Sequence, residues 1–366
     1  MIFSSLRVSG FRNLADAEID ISGKDVYLVG ENGQGKTNFL EALYFCAYAS
    51  SFRGAADKEL VRNGEKSCAA HACFVDSLHN EVLVKIDHGR KSVTLDGKRL
   101  EDRRDLLSVV PCIVFCHEDM DFVAGTPEQR RWFFDQSQTL YAPLYLDDLR
   151  KYRKLLKTRN ALLREHEQNG NIKAMLDALD PQLAWYGLRL MEKRAEAAEC
   201  FSAIFTQLFA EVSGIDHITV RYSPSWKAQS EERVLSSLHD KLDADLNSGV
   251  TLTGPHRDRY RFFREGAEFS TQASTGQRRL LALLLRVAQA RRFRDITGKN
   301  PVLLLDDVLL ELDGEKRRRF LEVMPEYDQA FYTFLPEEPY SRYRKADTLV
   351  YTMRDGALQV QSEDSR

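Results

Sequence analysis

The sequence predicts an α/β protein, a mixed sheet carrying a phosphate-binding loop, with a helical second lobe set into it. Three observations carry that prediction. Short strand-like runs dominate the start of the chain. A glycine-rich loop stands between one of these runs and a helical segment. A long middle stretch, from about residue 128 to 212, has helical spacing almost throughout.

Residues 2–8 and 17–21 alternate between apolar and polar, and 26–29 is a short apolar run that ends in the glycine loop. A helix is expected from Thr37 to about Ala49, with Phe39, Leu40, Leu43 and Phe45 as its apolar positions. Residues 71–75, 82–87 and 91–95 read as strands, and Asp96-Gly97 after the last of them is a strong hairpin turn. In the middle stretch Leu149, Tyr152, Leu155, Leu156, Asn160 and Leu163 follow helical spacing. Asp180-Pro181 reads as an N-cap followed by proline at the first helical position, and Ser213-Gly214 as a stop. Sheet-like patterning resumes near Gly254. A helix is then expected from about Thr275 to Phe293, a buried strand at 302–305 and a last hairpin around Asp355-Gly356. The expected domains are a head split between 1–127 and 254–366, and a helical insertion over 128–253.

A chain of 366 residues with 43% hydrophobic content can build two cores. A net charge of −3 excludes a histone-like polycation, so a nucleic acid would have to meet a local basic face. Residues 1–10 are too polar for a signal-peptide core, and the apolar stretches 109–116 and 280–285 fall far short of a membrane span. Six cysteines contain no CxxC pair, which argues against a zinc ribbon or redox dithiol. Cys112, Cys116 and His117 read as residues in and beside a buried strand rather than as ligands. These features together read as a cytoplasmic protein with reduced thiols and no membrane partner.

Gly30-Glu31-Asn32-Gly33-Gln34-Gly35-Lys36-Thr37 fits G-x-x-x-x-G-K-[ST] at every fixed position and sits between a strand and a helix, as that loop requires. The glycines let backbone N–H groups wrap phosphates, and the helix N-terminus adds a favourable dipole. Lys36 is expected to neutralise the β- and γ-phosphates of ATP, and the Thr37 hydroxyl to bind Mg²⁺. The buried run 302–305 ends in Asp306-Asp307, which places two carboxylates at the C-terminal edge of a parallel sheet. Asp306 is expected to hold Mg²⁺, directly or through water, and Asp307 to orient or deprotonate the attacking water.

Ser274-Thr275-Gly276-Gln277, just before the long helix, resembles the signature motif of the ABC/SMC superfamily. That resemblance implies an ABC/SMC-type ATPase head. It also implies that Ser274, Gly276 and Gln277 complete the nucleotide site of a second copy, so that ATP induces a homodimer. A closer resemblance, to the RecF family, rests on four segments. They are Phe11-Arg12-Asn13-Leu14, Glu118-Asp119 with Gly125-Thr126-Pro127 and Arg130-Arg131, Leu252-Thr253-Gly254-Pro255-His256-Arg257-Asp258, and the run 301–313. It adds Arg12 to the nucleotide-binding residues. It implies a weak, DNA-dependent ATPase of recombinational repair and replication-fork maintenance that binds duplex DNA and single-strand/duplex junctions. With RecO and RecR, such a protein helps load RecA. The chain departs from the pattern at His117, where a proline is usual, at Arg259, where a second aspartate is usual, and at Thr333-Phe334, which replaces a pair of threonines.

Between residues 149 and 164 stand seven basic residues and no acid: Arg150, Lys151, Arg153, Lys154, Lys157, Arg159 and Arg164. They read as a solvated helix face or as a phosphate-neutralising one. Residues 316–319 and 291–294 are further basic candidates. Trp132, Trp185, Phe201, Phe205 and Phe209 read as core or lobe packing rather than base-stacking platforms. Three other readings compete. A true SMC protein needs long coiled-coil arms or a zinc hook, and a transporter subunit needs a fuller L-S-G-G-Q signature. A non-hydrolysing ATP-binding scaffold differs only in turnover.

Overall fold

Continuous apolar runs and alternating ones sort into two different sheets. In the computed structural model, which describes residues 2–102, 104–107, 109–165, 171–227, 230–309 and 312–361, the chain divides into two compact units. One holds residues 1–119 and 290–366, the other 120–289. The sequence reading drew the insertion at 128–253.

In the first unit the fully buried strands Asp25–Val29, Cys112–Phe115, Val302–Leu305 and Gln329–Phe334 lie parallel in one six-stranded sheet. Burial on both faces is what such runs require. The order places Gln329–Phe334 between Asp25–Val29 and Val302–Leu305. Thr348–Arg354 pairs parallel on the far side of Asp25–Val29, and Ala357–Val360 closes that edge antiparallel. Alternating strands form a second six-stranded sheet, antiparallel throughout, around Ile2–Ser9, Ser67–Val75 and Glu81–Asp87. The helix Lys36–Tyr48 belongs to the core shared by both sheets, where Phe39, Leu40, Leu43 and Phe45 are fully buried. A helix that is apolar nearly all round must be enclosed in this way.

The second unit is built on the helices Pro127–Thr139, Pro143–Arg164 and Ile172–Ser213. Thr126 and Gln129 cap the first of these reciprocally, with Pro127 following the cap. Gly214, with φ of 71°, stops the last, as expected. Asp180-Pro181 does not start a helix; both lie inside Ile172–Ser213. The apolar series Leu176, Leu183, Ala184 and Leu190 continues across the proline, and the Asp180 carboxylate is taken by Arg159 at 2.8 Å. Against that packing, the loss of one backbone hydrogen bond at Pro181 is tolerated. Past that stop, inside the expected insertion 128–253, the strand Ile218–Ser223 joins Arg259–Arg264 and Ala267–Glu268 in a small antiparallel sheet.

Three placements correct the sequence reading. Arg159 is not a surface cation: it is fully buried, donating to Asp180, to Asp245 at 2.6 Å and to Thr251 at 2.9 Å. Trp132 and Trp185 are 41% and 45% exposed, whereas Trp226 is buried. Each exposed ring rests against a polar or aromatic neighbour, the buried Phe122 stacking on Trp132 and the Arg189 guanidinium lying over Trp185. Phe201, Phe205 and Phe209 are core residues, as expected. Among the described residues no helix is long and apolar enough to cross a membrane.

Arg159 sits where its charge must stay paired. Asp245→Ala is expected to cost about 3 kcal/mol or more, because a buried guanidinium loses a carboxylate. Urea unfolding followed by tryptophan emission measures it, since all three tryptophans lie in the second unit.

Candidate nucleotide-binding site

The glycine loop leaves the strand Asp25–Val29 and enters the helix at Lys36. Gly33 and Gly35 take φ of 79° and 113°, conformations that L side chains rarely adopt. Lys36 is buried and folds back over the loop, donating to the carbonyls of Gly30 at 2.5 Å and Glu31 at 3.3 Å. Asn32, Gly33, Gly35 and Thr37 line a cleft of about 270 Å³ with Glu31, Lys36, Asn38, Arg53 and Asp307. Gln34 turns the other way. Its carbonyl and its side-chain Oε1 accept from the backbone N–H groups of Gly356 (3.0 Å) and Asp355 (2.6 Å), at the tip of the last hairpin. Gly356 is compulsory there, because a Cβ would come within 1.9 Å of the Asn13 carbonyl oxygen. The hairpin tip therefore clasps both the loop and the Arg12-Asn13 turn.

Sheet order brings the acidic pair to the loop. Leu305 is in register with Tyr332, and Phe334 with Val29, so Asp306 stands one strand away from the loop. Thr37 Oγ1 donates to Asp306 Oδ1 at 2.9 Å. Asp306 is pushed up to about 6, by burial first and by the neighbouring Asp307 second, against the hydrogen bonds from Thr37 and Thr333. Asp307 sits at φ of 52°, a strained position for a residue with a side chain. Thr333 holds it there: its hydroxyl accepts from Asp307 N–H at 2.7 Å and donates to Asp307 Oδ1 at 2.8 Å.

Thr333 is not counted among the site residues from sequence, because Phe334 stands where the second threonine of the expected pair would be. Its role is visible only once Gln329–Phe334 is known to be the strand between the two motifs. Arg53 was missed as well; it lines the cleft and donates to Asn38 at 3.2 Å. Arg12, expected among the nucleotide-binding residues, forks onto the fully buried carboxylate of Glu41 at 2.9 and 3.1 Å and is not among the cleft-lining residues described.

Ser274, Gly276 and Gln277 belong to the second unit, at the start of the helix Thr275–Thr297. Ser274 and Gln277 form a reciprocal cap: Ser274 N–H donates to Gln277 Oε1 at 2.8 Å and Gln277 N–H to Ser274 Oγ at 3.3 Å. Ser274 and Gly276 are exposed. Arg150, Lys151, Arg153, Lys154 and Lys157 are all exposed on Pro143–Arg164. Lys151 lies over the Tyr186 ring and Arg153 is 3.7 Å from Asp135. In contrast Lys316, Arg318 and Arg319 are each paired with an acid of their own helix turn. Leu310 and Glu311 of the acidic run lie outside the described residues.

The donor set suits a magnesium–nucleotide. A buried ammonium and a loop of backbone N–H groups fit a polyphosphate. The Thr37 hydroxyl beside the Asp306 carboxylate gives the oxygen ligands that a hard cation takes. Comparison with known proteins agrees. The RecF/RecN/SMC N-terminal domain family matches over residues 2–357. The DNA replication and repair protein RecF of Treponema pallidum is 44% identical over 349 residues, covering 95% of this chain and 98% of its own. The solved structure of the recombination mediator protein RecF-ATP in the RecFOR pathway superposes with a TM-score of 0.88 at 26% identity, over 98% of this chain and 97% of that one. The Smc head domain of Pyrococcus furiosus shares the fold alone, with a TM-score of 0.52 at 16% identity and coverage of 98% and 95%.

The raised Asp306 carboxyl has a cost in the nucleotide-free protein. The folded chain holds that proton up to about pH 6 and the unfolded chain only to the ordinary 3.8, so stability falls as pH rises through this window and is flat above it. Asp306→Asn is expected to raise stability by about 2–3 kcal/mol at pH 8 and to lose that advantage near pH 4. Denaturant titrations at the two pH values check it.

Proposed function

This chain belongs to the RecF/RecN/SMC N-terminal domain family, and within it to the RecF proteins, and on that premise we propose that it is an ATP-switched DNA clamp of recombinational repair and replication-fork maintenance. It is an ATPase of that family. In the proposed cycle ATP joins two copies, the dimer closes on single-strand/duplex junctions, and slow, DNA-dependent hydrolysis releases it. With RecO and RecR it promotes RecA loading.

The observation that carries the reading is the single cluster of Lys36, Thr37, Asp306, Asp307 and Thr333 at one end of a parallel sheet. Bound MgATP supplies the bond to be broken and most of the charge to be neutralised. Lys36 would exchange its two loop carbonyls for phosphate oxygens, trading neutral acceptors for charged ones that make stronger hydrogen bonds. Thr37 and Asp306 would hold Mg²⁺, and Asp306 sheds its proton to do so. Asp307, held by Thr333, would accept the proton of the attacking water. It is one methylene shorter than a glutamate, and this supports slow turnover. Ser274, Gly276 and Gln277 would complete the partner copy's site, opening the Ser274–Gln277 cap to reach it. The five exposed cations at positions 150, 151, 153, 154 and 157 would lie along the DNA backbone without reading bases.

Asp307→Asn is expected to abolish turnover while leaving ATP binding intact; retained turnover removes Asp307 from its role. Sedimentation of the wild-type chain with and without ATP tests the switch, for which an ATP-loaded monomer is the contrary result.

Reversing the five cations to glutamate should weaken DNA binding and flatten its salt dependence, by a slope of about 0.9 for each phosphate no longer neutralised. Anisotropy titrations across a range of salt concentrations measure both.

A further inference from the structure

The segment 252–258, a hallmark of the family resemblance, takes no part in the nucleotide site, and its surroundings are built for a ligand. Gly254 adopts φ of 130°, and a Cβ there would meet the Tyr152 hydroxyl at 2.8 Å. The tight turn that follows brings His256 to Tyr152 and leaves Arg257 exposed. His256 Nε2 donates to the Thr251 carbonyl at 2.8 Å, so Nδ1 accepts from the Tyr152 hydroxyl, also at 2.8 Å. Burial pushes His256 down to about 4, which keeps it neutral and the pair fixed. Beneath it Arg194 is buried between Asp135 (2.9 Å) and Asp258 (2.9 Å) and donates to the Pro255 carbonyl at 2.6 Å. This floor is closely hydrogen-bonded and sets two carboxylates against one guanidinium.

Above the floor lies a cleft of about 360 Å³, within the range of roughly 300–1,000 Å³ typical of small-ligand sites. Its walls differ in character. Arg131, Arg153 and Arg257 line it together with the exposed Glu128, while Asp135 pairs with Arg194 and stands 3.7 Å from Arg153. Neither Arg131 nor Arg257 is in a salt bridge among the described residues. Arg131 donates to the Asp258 carbonyl at 2.7 Å, and burial together with Arg194 disfavours its charge, a strain that an anion would relieve. Trp132 and Leu156 supply apolar surface to the same lining. Trp132 stacks on Phe122 with ring centroids 5.7 Å apart and remains 41% exposed, so one aromatic face is supported and the residue still has open surface.

We propose that this cleft binds one nucleoside monophosphate unit, its phosphate on Arg131 and Arg257 and its base stacked on Trp132. A planar aromatic wall beside unpaired guanidiniums distinguishes such a ligand from a simple anion or an acidic peptide. The base must be unstacked to enter, so in a nucleic acid the ligand is an unpaired or terminal nucleotide. Its natural source rests on the DNA-clamp reading above; the same chemistry is offered by a free mononucleotide.

The test uses the full chain with saturating ATP, so that the P-loop is filled. Binding of a 5′-phosphorylated oligothymidylate, of blunt duplex and of free thymidine 5′-monophosphate is compared for wild type, Arg257→Gln, Trp132→Ala and Trp132→Tyr. Arg257 and Trp132 are exposed, and thermal midpoints of these variants check that the fold is kept. Arg257→Gln and Trp132→Ala are each expected to weaken the single strand by about tenfold and to spare duplex, while Trp132→Tyr keeps most of the affinity. If the single strand and the monophosphate bind both variants as tightly as wild type, the pocket is wrong and the clamp reading stands. If wild type binds no DNA but binds the monophosphate in a manner sensitive to Arg257→Gln, the pocket stands and the clamp reading falls. If wild type binds neither the strand nor the monophosphate, the pocket falls.

Discussion

The hydrogen bond from Thr37 to Asp306 is where this chain closes on itself. The two residues come from opposite ends of the sequence, and nothing local holds them together. What does is one parallel sheet in which a single strand, Gln329–Phe334, separates the strand feeding the glycine loop from the strand ending in the acids. A shift of register by one residue would turn Thr333 away from the acids and put an apolar neighbour between them. Parallel strands buried on both faces resist such a slip, since every position is already packed. The precision of the site is thus a property of the core rather than of the loop.

Burial also sets the chemistry of the acidic pair. Asp306 is enclosed, and the adjacent carboxylate of Asp307 makes it harder still to ionise. Thr37 and Thr333 offset part of that cost with hydroxyl hydrogen bonds. A cation arriving between Thr37 and Asp306 therefore relieves a tension that folding itself created, which links nucleotide occupancy to the stability of the sheet.

Much of this was legible in the sequence, for a physical reason. The glycine loop and the buried run before Asp306-Asp307 are local patterns: their spacing and their neighbours define their structure. The hairpins at Asp96-Gly97 and Asp355-Gly356 are local too, because their turns need positive φ at fixed positions. Features that depend on a distant partner were not legible. Asp180-Pro181 has the composition of a helix start, yet Arg159, on another helix, claims the carboxylate. Arg159 itself looks like one more member of a basic run until Asp245 and Thr251 are seen around it. Trp132 and Trp185 have the spacing of core residues, but spacing does not reveal which face a neighbouring element covers. Thr333 has only a partial signal, as half of an expected threonine pair, and Arg53 has none.

The clasp of the last hairpin has a consequence for how the protein comes into being. Thr348–Arg354 is the neighbour of the loop-bearing strand, and the turn at Gly356 braces both Gln34 and the Arg12–Asn13 turn. During vectorial synthesis the glycine loop leaves the ribosome well before the strands that flank and brace it. Until then the strand Asp25–Val29 has an open edge on each side, and the loop has no support. The nascent chain is therefore exposed to edge pairing with other chains throughout the interval between the loop and these strands, and ATP cannot chaperone it through that interval because its seat is finished only when they arrive.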